Sequence, residues 1–292
     1  MLALDLFIFH PKARSVGFKE ALLWSGIWVS LALIFCVGMY LFQGSEPALN
    51  FLTGYIIEKA LSIDNLFVFL MIFSAFQVPS DYLHKVLLWG VLGALVMRAI
   101  FIFTGIVLIE KFYWITYLFG IFLIVAGIKL ALKNENEIRP ENNIAIRMLR
   151  KVFPITKTFE GGQFFVKKEG RYWATPLFLV LIAIETTDII FALDSVPAIL
   201  AITTDPFIVY TSNVFAILGL RALYFALAPL IQMFRYLHYG LALLLVFIGS
   251  KMLLGNYIHI PVVAALGIVA AILVISIIAS VIFHRPKHPC GK

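Results

Sequence analysis

Apolar residues run through this chain in stretches of membrane length, longer than the ~18 residues that mark a candidate spanning helix. Eight are marked off, near 20–42, 51–76, 86–109, 113–132, 174–201, 207–229, 236–254 and 260–283. They predict an all-α polytopic membrane helix bundle. Residues 2–9 are apolar but too short to span; they read as a stub in the interface or the tail of a longer segment. Between the spans only 133–173 is long and polar. Within it, 142–152 has the pattern of a short amphipathic helix. Aromatic stretches either side of Glu169-Gly170 predict a small hairpin.

The pattern repeats. Glu58-Lys-Ala-Leu-Ser-Ile-Asp64-Asn65 aligns with Asp188-Ile-Ile-Phe-Ala-Leu-Asp194-Ser195. The segment around Arg98 then aligns with that around Arg221, and Gly127-Ile-Lys129 with Gly249-Ser-Lys251, in the same order. The chain therefore divides into a stub and first span (1–50), a first three-span repeat (51–132), a loop (133–173), a second three-span repeat (174–254), and a last span with its tail (255–292). Three spans is an odd number, and the joining loop lies on one side. The second repeat must then cross in the opposite sense, giving two inverted-topology repeats with flanking helices. In that architecture, substrate sites lie near the midplane at the repeat interface.

Composition sharpens the class. The 292 residues are 62% hydrophobic, with a mean hydropathy of +0.99, far from a soluble domain. The net charge of +7 is one-sided. Lys12, Arg14, Lys19, Lys85, Arg235, Arg285, Lys287, Lys292 and the basic residues of 133–173 fall on one face, against Lys111 in the loops of the other. The positive-inside rule makes the first face cytoplasmic, including 133–173 and the C-terminus. The charge needs no nucleic-acid partner; its partner is the lipid bilayer. No cleavable signal peptide is evident. Cys36 and Cys290 support neither a disulfide framework nor a paired-thiol metal motif. The six histidines lie at loops or span ends. No phosphate-binding loop or nucleophile–base arrangement stands out, so neither an ATP-driven pump nor an enzyme is expected.

Carboxylates inside hydrocarbon mark an ion or substrate path by default. Glu58, Asp64, Glu185, Asp188 and Asp194 lie deep in the spans, against the deep bases Lys59, Arg98 and Arg221. The balance is met by one divalent cation or by protons on two acids. Residues six apart are rotated by about 240° on a helix, so Glu58 and Asp64 share no face of an unbroken one. Either the helix unwinds between them or each faces a different neighbour. Pro197 clashes with the carbonyl of Leu193, freeing an oxygen beside Asp194. Carboxylate, Asn65 amide, Ser195 hydroxyl and carbonyl oxygens suit a hard divalent cation. Such a site exchanges metal for protons, because ligation requires deprotonation.

The stretches 58–69, 92–101, 161–166, 190–198 and 205–213 resemble the TerC/Alx family of bacterial integral membrane proteins over nearly the whole chain. The family is named for tellurite resistance, and its better-understood members look like manganese exporters. By resemblance the motif residues are Glu58, Asp64, Asn65, Asp188 and Asp194. Many relatives begin with a complete span before the segment in which Met1 falls here. The reading is an inner-membrane secondary transporter exporting Mn²⁺ by proton antiport. Its candidate metal ligands are Glu58, Asp64, Asn65, Glu185, Asp188, Asp194 and Ser195. Arg98, Arg221, Lys59, Leu193 and Pro197 support them. Its partners are the metal ion and protons as substrates, and no cofactor is expected. The rivals are a membrane scaffold or stress-complex protein without transport, and an intramembrane enzyme.

Overall fold

The structure, a computed structural model, describes residues 17–112, 114–132, 154–168, 170–228, 237–255 and 260–282, apart from the side chains of Asp64, Phe67, Leu237 and Val281. The described helices are α1 (Phe18–Gln43), α2 (Ser45–Ala75), α3 (Ser80–Lys111), α4 (Ile115–Leu132), α5 (Pro176–Leu200), α6 (Pro206–Leu218), α7 (Leu220–Leu227), α8 (Leu237–Leu254) and α9 (Val262–Ile282). Each expected span is one helix, except 207–229, which is the pair α6 and α7. Among the described residues, five helices are long and apolar enough to cross a membrane, or six spans if α6 and α7 count as one. α2 has the length but carries Glu58, Lys59 and Asp64, and the apolar stretch of α8, His238–Leu254, is slightly shorter. The stub 2–9, the amphipathic stretch 142–152 and the C-terminal tail lie outside the described residues.

Local chemistry sets the boundaries. α2 begins earlier than its apolar run suggests, because Pro47 sits in the first turn, where a missing N–H costs nothing. Gly44 joins α1 to α2 with φ of 98°, a left-handed conformation that only glycine adopts freely. α6 starts at Pro206, and the Asp205 carboxylate caps it, accepting from the N–H groups of Phe207 (2.8 Å) and Ile208 (3.2 Å).

The expected helix break is elsewhere. α2 and α5 run unbroken through their acidic residues, so neither helix unwinds there. Pro197 lies near the C-terminal end of α5, and the helix absorbs it. The bend comes instead at Gly219, where α6 and α7 meet at 42°. A Cβ there would stand 3.0 Å from Lys59 Nζ and 3.1 Å from Trp28 Cβ, so α1 and α2 both press on the bend. Lys59 Nζ donates to the Ala216 carbonyl (3.1 Å), satisfying the frayed C-terminal end of α6. Lys251 does the same for α5 through the Ala201 carbonyl (3.2 Å).

α3 packs on α5, α2 on α6, and α2 on α5, while α4 and α8 pack along their lengths. The last contact is reciprocal. A Cβ at Gly127 would meet the Ala242 carbonyl oxygen at 2.6 Å and Val246 Cγ2 at 2.9 Å. A Cβ at Gly249 would meet the Gly120 carbonyl oxygen at 2.6 Å and Ile124 Cγ1 at 2.9 Å. Each glycine thus abuts the residues three and seven before its counterpart. The two helices run antiparallel, and a two-fold axis passes between them. Backbones can approach this closely only where both positions lack a side chain.

The hairpin is present as β1 (Phe165–Lys168) paired antiparallel with β2 (Arg171–Ala174). Lys85 of α3 donates to the Gly162 carbonyl (2.9 Å) and lies 4.8 Å from the Phe164 ring centre. Phe165 packs on Phe178 of α5 at 4.4 Å. The hairpin therefore bridges the adjacent ends of α3 and α5.

Candidate functional site

Polar side chains from four helices converge inside the bundle. On α2, Glu58, Ser62 and Asn65 recur at the i, i+4, i+7 spacing of one face and are 0%, 1% and 3% exposed. α5 supplies Asp188 and, two turns on, Ser195; α3 supplies Arg98 and α6 supplies Asn213, all buried. The Arg98 guanidinium sits at the centre. Its Nη1 donates to the Glu58 carboxylate, to Asn213 Oδ1 (2.9 Å) and to Ser195 Oγ (3.2 Å). Its Nη2 donates to Asp188 Oδ1 (3.5 Å). Asn213 is oriented by its own helix. Its Nδ2 donates to the Val209 carbonyl (3.2 Å), which leaves Oδ1 to accept from Arg98.

The cluster is incompletely satisfied. Glu58 Oε2, Asp188 Oδ2, Arg98 Nε and Ser62 Oγ are buried with no hydrogen-bond partner. Two carboxylates against one guanidinium leave a formal charge of −1. Apolar layers close the cluster in both directions: Leu95, Ile184 and Ile217 on one side, Ile102, Ala192 and Val209 on the other. Charges held in such a layer interact strongly, and any left unpaired is costly.

The expected ligands divide. Glu58, Asp188 and Ser195 meet at Arg98. Asn65 is buried on the same face of α2. Glu185, one turn from Asp188, turns to α3 and is half-buried; its carboxylate fills the notch at Gly93, where a Cβ would overlap it. Asp194 is half-buried and engaged in an interaction, and Arg221 is buried in α7 and likewise engaged. The side chain of Asp64 lies outside the described residues. Leu193 is 44% exposed, away from the cluster. Among the described residues, no three His, Cys, Asp or Glu side chains converge as a metal group. Among the described side chains, the acids Glu58 and Asp188 meet on a base rather than on one another. Two buried carboxylates repel, and the Arg98 guanidinium relieves this by taking the acceptor oxygens that an ion would use.

Ser62 and Asn213 belong to the cluster's surroundings and were not singled out by the pattern of charges. Their signal was present: each is a neutral polar residue within an apolar run, and each falls in a motif stretch.

Fold and site together define a polytopic helical membrane protein with a buried charged cluster where four helices cross. The model of the integral membrane protein TerC family matches residues 43–288, and the chain belongs to that family. It is 52% identical to the "Uncharacterized membrane protein STKORF319" of Myxococcus xanthus, over 98% of this chain and 89% of the relative. It is 50% identical to the "Putative membrane-bound redox modulator Alx" of Escherichia coli O157:H7, over 100% of this chain and 94% of the relative. An "Uncharacterized membrane protein" of Rickettsia bellii (strain RML369-C) is 42% identical over 97% and 93%. No solved structure matches.

Proposed function

We propose that this chain is a secondary transporter of the bacterial inner membrane that exports Mn²⁺ from the cytoplasm in exchange for protons, with 133–173 and the C-terminus cytoplasmic. One observation carries the reading. Glu58 and Asp188, 0% and 4% exposed, each keep an oxygen without a hydrogen bond deep inside spanning helices. A network that served only to fasten helices would use those oxygens, whereas a binding site keeps them for a ligand. The donors around them are carboxylate, hydroxyl and amide oxygens, the set that suits hard divalent cations. Manganese in particular rests on the family resemblance. Glu58, Asp188, Ser195 and Asn213 are the ligands on this reading, with Asn65, Asp64 and Asp194 further along the path and Glu185 a proton carrier.

The reciprocal packing of Gly127 and Gly249 supports inverted repeats, and with them a site that opens alternately to the two sides. Proton coupling follows from ligand chemistry: a carboxyl must lose its proton to bind the ion. The test is Mn²⁺ movement into proteoliposomes, with and without a pH gradient, across a panel that includes Ca²⁺, Mg²⁺ and Zn²⁺. Movement of Mn²⁺ driven by an opposing proton gradient supports the reading. Flux no greater than in empty liposomes overturns it.

A further inference from the structure

Arg98 makes an unusual bond set for a helix fastener. Structural Arg–carboxylate pairs are commonly bidentate, with two parallel N–H···O bonds to one carboxylate. Here the tip of the guanidinium is spread over four oxygens, of Glu58, Asp188, Ser195 and Asn213, while Nε makes no bond. Those oxygens come from three helices other than its own. They are the donors a hard cation would select, and the guanidinium takes their centre.

We propose that Arg98 is a tethered counter-cation: its guanidinium and the transported divalent ion occupy the Glu58–Asp188–Ser195–Asn213 cradle alternately. This rests on the cation-transport reading above. A divalent ion and a guanidinium repel at contact distance, so ion entry requires the guanidinium to withdraw. When the ion leaves, two bare carboxylates would remain in an apolar layer, which is costly. The return of Arg98 neutralises one of them and reseals the cradle. The long, flexible arginine side chain supplies the reach, and its permanent charge means that no proton is needed for this part of the cycle. Arg98 is thus a positioning residue that sets ion affinity and the reset of the unloaded protein. The seven-residue spacing of Asp188 and Ser195 lets one guanidinium span both turns of α5.

The test separates net movement from exchange. Wild-type protein and Arg98→Gln are reconstituted into liposomes, and Mn²⁺ is followed in three ways: binding affinity, net movement into Mn²⁺-free vesicles, and exchange of isotopic Mn²⁺ between two loaded faces. For Arg98→Gln the expected results are at least tenfold tighter binding, at least tenfold slower net movement, and exchange within about threefold of wild type. A fastener role predicts the opposite: weaker binding, and net movement and exchange lost together. Either of those results overturns the proposal. If Arg98→Gln does not fold, Arg98→Lys carries the same test, because a single ammonium holds fewer of the four oxygens. Tighter binding with slowed net movement is expected of it, and affinity equal to or weaker than wild type is disqualifying. Wild-type protein that moves no Mn²⁺ removes the transport reading and this inference with it, whereas failure in the variants alone removes only this inference.

Discussion

Replacing Arg98 by Gln, against Glu58 by Gln, turns the charge arithmetic of the cluster into a ranking of stabilities. The native cluster sums to −1, from Glu58, Asp188 and Arg98, all at most 4% exposed. Glu58→Gln leaves the Arg98–Asp188 pair, with a sum of zero. Arg98→Gln leaves two carboxylates with no hydrogen-bonded counter-charge, a sum of −2 for the three positions. Removing one partner of a buried pair costs about 3–5 kcal/mol when the other charge is left uncompensated. A buried donor that loses one acceptor but stays paired costs about 1–3 kcal/mol. Arg98→Gln should therefore be the more destabilised by about 2 kcal/mol. At about 2–4 °C per kcal/mol for domains of 150–250 residues, the gap in melting midpoint is roughly 4–8 °C. The assay is thermal unfolding of detergent-purified protein in near-neutral buffer with a chelator. Divalent cation added afterwards should raise the Arg98→Gln midpoint more than the wild-type one, because a ligand stabilises the state that binds it more tightly. Equal destabilisation of the two variants, or greater loss in Glu58→Gln, would refute the claim that Arg98 is the counter-charge of both acids.

Other outcomes follow from other parts of the molecule. Gly127→Ala and Gly249→Ala should each cost about 1–3 kcal/mol by overpacking the α4–α8 contact. The double variant should cost clearly less than the sum, since either methyl alone already parts the helices; additive losses in a double-mutant cycle would exclude a shared two-fold contact. Gly93→Ala should expel the Glu185 carboxylate from its notch and slow Mn²⁺ movement as Glu185→Gln does; wild-type rates in both would leave Glu185 without a role. Cys36, whose thiol donates to the Ala48 carbonyl at 3.5 Å, should be replaceable by Ser with transport unchanged, which a flux assay reads directly. Just before the hairpin, hydrogen bonds from Lys168 and Thr158 hold the Glu160 carboxyl below its ordinary pKa of 4.5. The Glu160–Lys168 contact should therefore be intact at neutral pH and be lost as pH falls through that lowered value. Loss of the contact while the pH is still above 4.5, followed by NMR, would contradict it.

Much of the fold could be read from the chain because membrane spans are declared by length and apolarity alone. The order of helices, the hairpin around Gly170 and the equivalence of Gly127 and Gly249 were all visible there. What escaped depends on neighbours distant in sequence. The bend at Gly219 arises where Trp28 and Lys59 crowd the chain, which no local pattern records. Pro197 suggested a break, yet α5 runs on through it to Leu200. The candidate site was legible as residue types but not as partners. Glu58 and Asp188 stand out in the sequence as acids in apolar runs, but nothing local shows that Arg98 inserts between them or that Glu185 turns to Gly93. Asn213 carries no charge and so does not stand out among the acids and bases, while the cluster also uses neutral oxygens.

On the transport reading, the buried cluster of Glu58, Asp188 and Arg98 passes a divalent cation across the membrane. That reading is tested most directly by Mn²⁺ movement into proteoliposomes holding wild-type protein or Asp188→Asn at matched density. Expected are saturable Mn²⁺ movement with wild type, accelerated by an opposing proton gradient, and movement at the level of empty liposomes with Asp188→Asn in folded protein. Wild-type vesicles that move no more Mn²⁺ than empty ones, or an Asp188→Asn variant that matches wild type, would contradict it.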